Sequence, residues 1–297
     1  MELRVLEYFL AVAREQNITA AAESLHLSQP ALSRQLREME EKLGKQLLIR
    51  GVKGSRKVIL TEEGMILRKR AEEILSLVRR TENEITQSDE TIAGNVFIGT
   101  GETETVRLFA KVAKKLQQKY PDIRYNISSG NAEHVLEYLD KGLIDFGLLF
   151  TEIDAQKYEA IPVPIKDTWG VLMRKDSPLA EKETICPEDL WDKPLIVSHQ
   201  KGDDRYLNQW LQREKSELHI VATYNLLFNA SLLVDEGLGY ALCYDKLINT
   251  KGSNLCFRPF SPGLEARGFI VWKKYQVFSK AANIFLQYLQ ELLETEN

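Results

Sequence analysis

The sequence predicts an α/β chain in which a winged helix-turn-helix and a long linker helix precede a two-lobed domain of alternating strands and helices. Three observations carry that reading. Helical periodicity fills roughly the first ninety residues, interrupted by one short basic hairpin. Beyond Glu90-Thr91 the period switches to strand–helix alternation. Charge is divided unevenly: residues 1–80 carry +4 and Ser28–Lys57 alone carry +5, in a chain whose total is −4. A local positive patch of this kind suits phosphate. With 297 residues, 44% of them hydrophobic and 28% charged, the chain can bury more than one core.

Several classes drop out. Nothing approaches the roughly 18 apolar residues of a membrane span, and Glu2, Arg4 and Glu7 interrupt any signal-peptide core, so a cytoplasmic protein without membrane contact is expected. Cys186, Cys243 and Cys256 form no CxxC pair, and the four histidines lack ligand spacing. No metal and no cofactor are expected. The chain has no GxSxG elbow, GxGxxG, GxxxxGKS/T or HExxH, and Ser198-His199 lacks a placed acid, so no catalytic residues are assigned.

Val5, Leu6, Phe9, Leu10 and Ala13 share one face of a first helix, Leu3 to Arg14. Asn17 or Thr19 can cap a short second helix through Ala21, Ala22 and Leu25. His26 suits the left-handed residue that ends it. Ser28 reads as the N-cap of a third helix with Pro30 in its first turn. Leu32, Leu36, Met39 and Leu43 face the core, leaving Gln29, Pro30, Ser33, Arg34 and Arg37 on a polar, basic outer face. Two helices joined by a short turn, the second presenting Gln and Arg near its start, can reach base edges in a major groove. Gly44 ends the helix. Gln46–Arg50 and Lys57–Thr61 then form a wing whose Arg50, Lys53, Arg56 and Lys57 are placed for phosphates. Thr61 caps a long helix with Leu67, Ala71, Ile74, Val78, Thr81 and Ile85 at coiled-coil spacing, a seam on which two copies can pair.

Downstream, strands are expected at Asn95–Gly99, Ile123–Ser128, Leu143–Phe150, Trp169–Arg174, Leu195–Ser198, Ile220–Tyr224, Gly239–Cys243 and Phe269–Lys273, alternating with helices and ending in one. That alternation implies a mostly parallel sheet. Ile161-Pro162-Val163-Pro164 reads as a stiff crossing between lobes. Ligands in such sheets bind beyond the carboxyl ends of strands, where helix N-termini offer N–H groups. The criterion selects Thr100, Gly101, Glu102 and Thr103, then Ser128, Ser129, Gly130 and Asn131, and from the other lobe Ser198, His199, Gln200 and Asn225. Glu102 stands against an anionic ligand there unless it caps a helix or meets a cationic group.

The run AAAESLHLSQPALSRQLREMEEKLGKQLLIR, followed by VILTEEG, resembles the N-terminal domain of LysR-type transcriptional regulators. GNVFIGT, YPDIRYNISSGNAEHVLEYLDKGLIDFGLLF and VDEGLGYALCYDKL extend the resemblance over essentially the whole chain. It implies a DNA-binding domain over 1–60, a linker helix over 61–90 and an effector domain over 91–297, similar to type 2 periplasmic binding proteins. Lobe I would take about 91–161 and 266–297, lobe II about 162–265. Gln29, Pro30, Ser33 and Arg34 match base-facing positions and Arg50 a backbone contact; Thr19, Ser28, Arg37, Lys53, Arg56 and Lys57 complete the expected DNA-facing set. The cleft residues match the family's inducer pocket. The resemblance further implies promoter inverted repeats as target, a small-molecule effector, a dimer of dimers, and RNA polymerase as partner. Oxidant-sensing members carry a cysteine pair near 199–208 that this chain lacks. The alternative is a cytoplasmic solute-binding receptor acting through protein partners.

Overall fold

The computed structural model describes residues 1–51, 57–86, 92–199 and 204–296. They form two compact units, Met1–Thr86 and Gln87–Asn297.

In the first unit, α1 (Leu3–Glu15) buries Val5, Leu6, Phe9, Ala11 and Val12 and ends on left-handed Gln16 (φ 51°). The Gln16 carbonyl then accepts from Val58 N at 2.8 Å, so the helix end also anchors the hairpin. Asn17 rather than Thr19 caps α2 (Ile18–Ser24), its Oδ1 accepting from Thr19 N at 2.9 Å and Ala20 N at 3.2 Å. Left-handed His26 (φ 55°) makes the turn, and Ser28 caps α3 (Gln29–Leu43), which stops at Gly44 (φ 64°). The hairpin strands β1 (Leu48–Arg50) and β2 (Val58–Leu60) are shorter than expected, three residues each. Thr61 caps α4 (Glu62–Thr86): its Oγ1 accepts from Gly64 N at 3.0 Å while its hydroxyl donates to the Gln46 carbonyl.

The seam expected along α4 divides in two. Leu67, Ala71 and Ile74 pack into the core of their own unit together with buried Leu75, which the stripe omits. A straight helix of 3.6 residues per turn drifts off a heptad repeat, and Leu75, one position past Ile74, falls on the core side. Only the later part, ending in Ile85 at 77% exposure, stays open.

The second unit holds β3 (Gly94–Thr100), α5 (Val106–Lys119), β4 (Ile123–Ser129), α6 (Ala132–Asp140), β5 (Phe146–Leu149), β6 (Tyr158–Arg174), β7 (Leu195–Ser198), α7 (Asp204–Leu211), β8 (Ile220–Tyr224), α8 (Leu227–Asp235), β9 (Tyr240–Tyr244), β10 (Leu255–Pro259), β11 (Glu265–Lys273) and α9 (Lys280–Glu296). Strand order is β4-β3-β5-β11-β6-β9-β7-β8, with β10 also on β6. The sheet is mixed, with antiparallel pairs as numerous as parallel ones, which corrects the expected mostly parallel sheet. β3, β4 and β5 pair in parallel, as do β7, β8 and β9, but β6, β10 and β11 join antiparallel. Alternation reveals the βαβ units and is silent on strands that return without a helix, hence the omission of β10.

The two crossings between lobes are β6 and β11. Their ladder shifts register between Arg267 and Phe269, opposite the stretch from Pro162 to Lys166. Pro164 therefore sits where the ladder asks for no N–H, which is how a proline is tolerated inside a 17-residue strand. One lobe packs Phe109, Phe146 and Phe285 in its core, the other Trp169, Leu190 and Leu242.

A Cβ on Gly64 would lie 2.2 Å from the Leu47 carbonyl oxygen. Alanine gains about 1 kcal/mol of helix propensity over glycine, but an overlap with backbone cannot be relieved by rotating a side chain. We therefore expect G64A to destabilise the first unit by about 2 kcal/mol net of the propensity gain, read as a lowered melting temperature in a calorimetric scan.

Candidate nucleic-acid interface and ligand cleft

On α3, Gln29, Pro30, Arg34 and Arg37 are exposed, with Ser28 beside them; Thr19 is exposed on α2. Arg34 Nε lies 3.7 Å from Glu38 on the open surface, a geometry too loose and too wet to fix the guanidinium. Ser33 departs from expectation: it is buried at 8% exposure. It precedes Glu40 by seven residues, nearly two turns, so the two share a flank of the helix that leans on the core. Lys57 is exposed, whereas Lys53 and Arg56 lie outside the described residues.

Glu40 is the residue that sequence reasoning missed. Its buried carboxylate accepts from Leu47 N at 2.9 Å and Leu48 N at 3.0 Å through Oε1, and from Arg50 at 2.7 Å through Oε2. One side chain thus ties the third helix to the first strand of the wing. Arg50, expected at a DNA backbone contact, is half-buried and ion-paired with Glu40, which holds its guanidinium on the wing. The signal available in sequence was a carboxylate on the core side of an amphipathic helix, which needs a partner.

In the second unit, Gly101, Glu102, Ser129, Gly130, Asn131, His199 and Asn225 gather around a cavity of about 260 Å³, joined by His134 and Leu226. Gly130 allows this: a Cβ there would sit 2.4 Å from the His134 ring. Asn131 caps α6, its Oδ1 accepting from His134 N at 2.9 Å. Across the cavity, Glu102 accepts from Leu227 N, the first amide of α8, whose own N-cap Leu226 supplies no side-chain acceptor. A carboxylate from one lobe thus caps a helix of the other. His199 N donates to the Tyr224 carbonyl at 3.0 Å, joining the loops after β7 and β8.

Four expected cleft residues do not line this cavity. Thr100 is buried and its hydroxyl donates to the Gly101 carbonyl. Thr103 is buried with its hydroxyl donating to Asp167 on β6. Ser128 pairs within the sheet opposite Gly99, and Ser198 stays in β7 opposite Tyr224. Gln200 lies outside the described residues. The Thr103–Asp167 bond pins the loop after β3 to the crossing strand. Burial pushes the Asp167 carboxyl above its ordinary value, with the Thr103 hydrogen bond acting in the opposite direction.

A larger cavity, about 1070 Å³, opens beside the crossing strands between Phe150, Tyr158, Trp169, Tyr206, Arg267 and Phe269. It is lined mostly by strand and loop residues rather than helix caps. Among the described residues there is no His/Cys/Asp/Glu group able to hold a metal, and no helix long and apolar enough to cross a membrane. All three cysteines are free thiols, and burial pushes those of Cys243 and Cys256 upward.

Comparison with known proteins gives two family matches: "Bacterial regulatory helix-turn-helix protein, lysR family" over residues 3–65 and "LysR substrate binding domain" over residues 89–294. Relatives include the HTH-type transcriptional regulator BsdA of Bacillus subtilis strain 168, 36% identical over 82% of this chain and 83% of that protein. YvbU, an HTH-type regulator of the same organism, is 24% identical over the full length of both. The solved structure of full-length CbnR complexed with its target DNA matches at TM-score 0.76 and 20% identity, covering 98% of this chain and 99% of that one.

Two outcomes test these assignments. E40A leaves two buried amides and Arg50 without their acceptor, and should destabilise the first unit by about 3 kcal/mol, with E40Q intermediate, in thermal melts. Asp167, its pKa raised on folding, favours the folded state most when protonated and loses that contribution as pH rises through the raised value. D167N should therefore melt above the wild type at pH 7.5, the gap closing as pH falls toward the ordinary carboxylate range.

Proposed function

The chain belongs to the LysR family of DNA-binding transcriptional regulators, and from that premise we propose that paired copies grip promoter inverted repeats and that a small ligand in the cleft modulates the grip. The observation that carries this reading is the exposed Gln29, Pro30, Arg34 and Arg37 face on a helix fixed to its wing by Glu40. In this reading Gln29 and Arg34 reach base edges, where bidentate donors discriminate. Arg37 and Lys57, with Lys53 and Arg56, meet phosphates and set register without reading sequence.

Copies would pair along the later part of α4 and through exposed apolar residues of the second unit, Phe228 and Leu232 on α8 and Ile127 on edge strand β4. Exposed apolar residues at a helix face and at a sheet edge fit association of copies better than isolated surface positions do. A dimer of dimers would place four heads on DNA, and contact with RNA polymerase would convert their arrangement into transcription. The work of such a protein lies where the chromosome is, in the cytoplasm. Ligand closure of the cleft can shift the arrangement only by its differential affinity for the two states.

The test separates the two roles. R34A should relax specificity at one base position at a cost of about 1–3 kcal/mol, and K57A should weaken all sequences alike and lower the salt slope by about one unit. Fluorescence anisotropy on specific and random duplexes over a salt series measures both. Equal losses on specific and random DNA from the two variants would contradict the assignment.

A further inference from the structure

The cavity between Glu102, Asn131, His199 and Asn225 already holds a negative charge of its own. Two helix N-termini open on it, and an oxygen of the chain caps one amide of each: Asn131 Oδ1 takes His134 N at α6 and Glu102 Oε2 takes Leu227 N at α8. Helix N-termini attract carboxylates because their first amides lack acceptors. Here the Leu227 and His134 amides have theirs. The described residues lining the cavity include no lysine or arginine, and Glu102 is its one carboxylate. Glu102 caps α8 through Oε2 alone; its Oε1 has no donor among the described residues, so that oxygen stays available to a ligand although the other caps the helix. An incoming carboxylate would meet that charge at close range, in a site partly withdrawn from water.

We infer that this cavity takes a small ligand bearing a protonated amine or amidine, whose N–H groups engage Glu102, and that it selects against carboxylates. The inference rests on the reading of the cavity as the effector site. At about 260 Å³ it falls below the roughly 300–1,000 Å³ of drug-sized sites, so the ligand is correspondingly small. Charge-assisted hydrogen bonds to a carboxylate are about twice as strong as neutral ones, which makes Glu102 the determinant of charge selectivity.

The experiment is calorimetric titration of the full-length protein at pH 8. The probes are matched pairs: benzylamine and benzamidine against benzoate, and 1,4-diaminobutane against succinate. The expected result is binding of at least one amine or amidine, at least tenfold tighter than its carboxylate counterpart, and weakened at least tenfold by E102Q. Glutamine keeps an oxygen for the Leu227 amide while removing the charge, and a cooperative melt checks that the variant folds. Were E102Q to misfold, the wild-type amine-to-carboxylate ratio alone still decides. Preference for carboxylates, absence of amine and amidine binding, or undiminished amine binding by folded E102Q would each overturn the inference. DNA binding by the same ligand-free protein is measured in parallel: if it persists while the amines fail, only the ligand class is refuted.

Discussion

The buried carboxylate of Glu40 is the constraint on which the DNA-facing half depends. A helix presenting Gln and Arg reads nothing unless its angle to the duplex is fixed, and α3 is fixed on one side by Leu32, Leu36 and Met39 in the core. On the other it is fixed by Glu40, which gathers two backbone amides and a guanidinium of the wing. Removing a carboxylate from water is costly, and three hydrogen bonds in good geometry are what offset it. Arg50 is held by this contact, and Arg37 and Lys57 are exposed.

The second unit applies the same logic to helix ends. Its loops after β3, β4 and β8 could each offer amides to a ligand, yet they are largely bonded to one another. Thr100 accepts from Gly130 N, Thr103 is tied to Asp167, Asn131 caps its own helix, and Glu102 caps the helix opposite. Such bonds satisfy these particular groups without a ligand. They also make Glu102 a contact between lobes and a wall of the cavity at once, so a ligand that engages it bears directly on how the lobes meet.

Much of this was legible in sequence, for identifiable reasons. Capping and left-handed turns depend on residues close together in the chain, and Ser28, Thr61, His26 and Gly44 behave as their chemistry dictates. The βαβ order follows from period alone. What escaped depends on residues far apart. The burial of Ser33, the pairing of Arg50 with Glu40, the return strand β10 and the bond from Thr103 to Asp167 all require the tertiary arrangement. Half-burial misled in the same way along α4, where one stripe has to serve both the unit's own core and the surface open to a partner. At the cleft, the positions where polar residues follow strands were identifiable; whether each amide was free or capped was not.

The most direct measurement of the central claim is a footprint of the full-length protein on the DNA upstream of its own gene. The account predicts protection of two half-sites of an inverted repeat, on one face of the duplex and separated by about one helical turn or a multiple of it, as paired recognition helices require. Protection no stronger than on random DNA at moderate salt would contradict it.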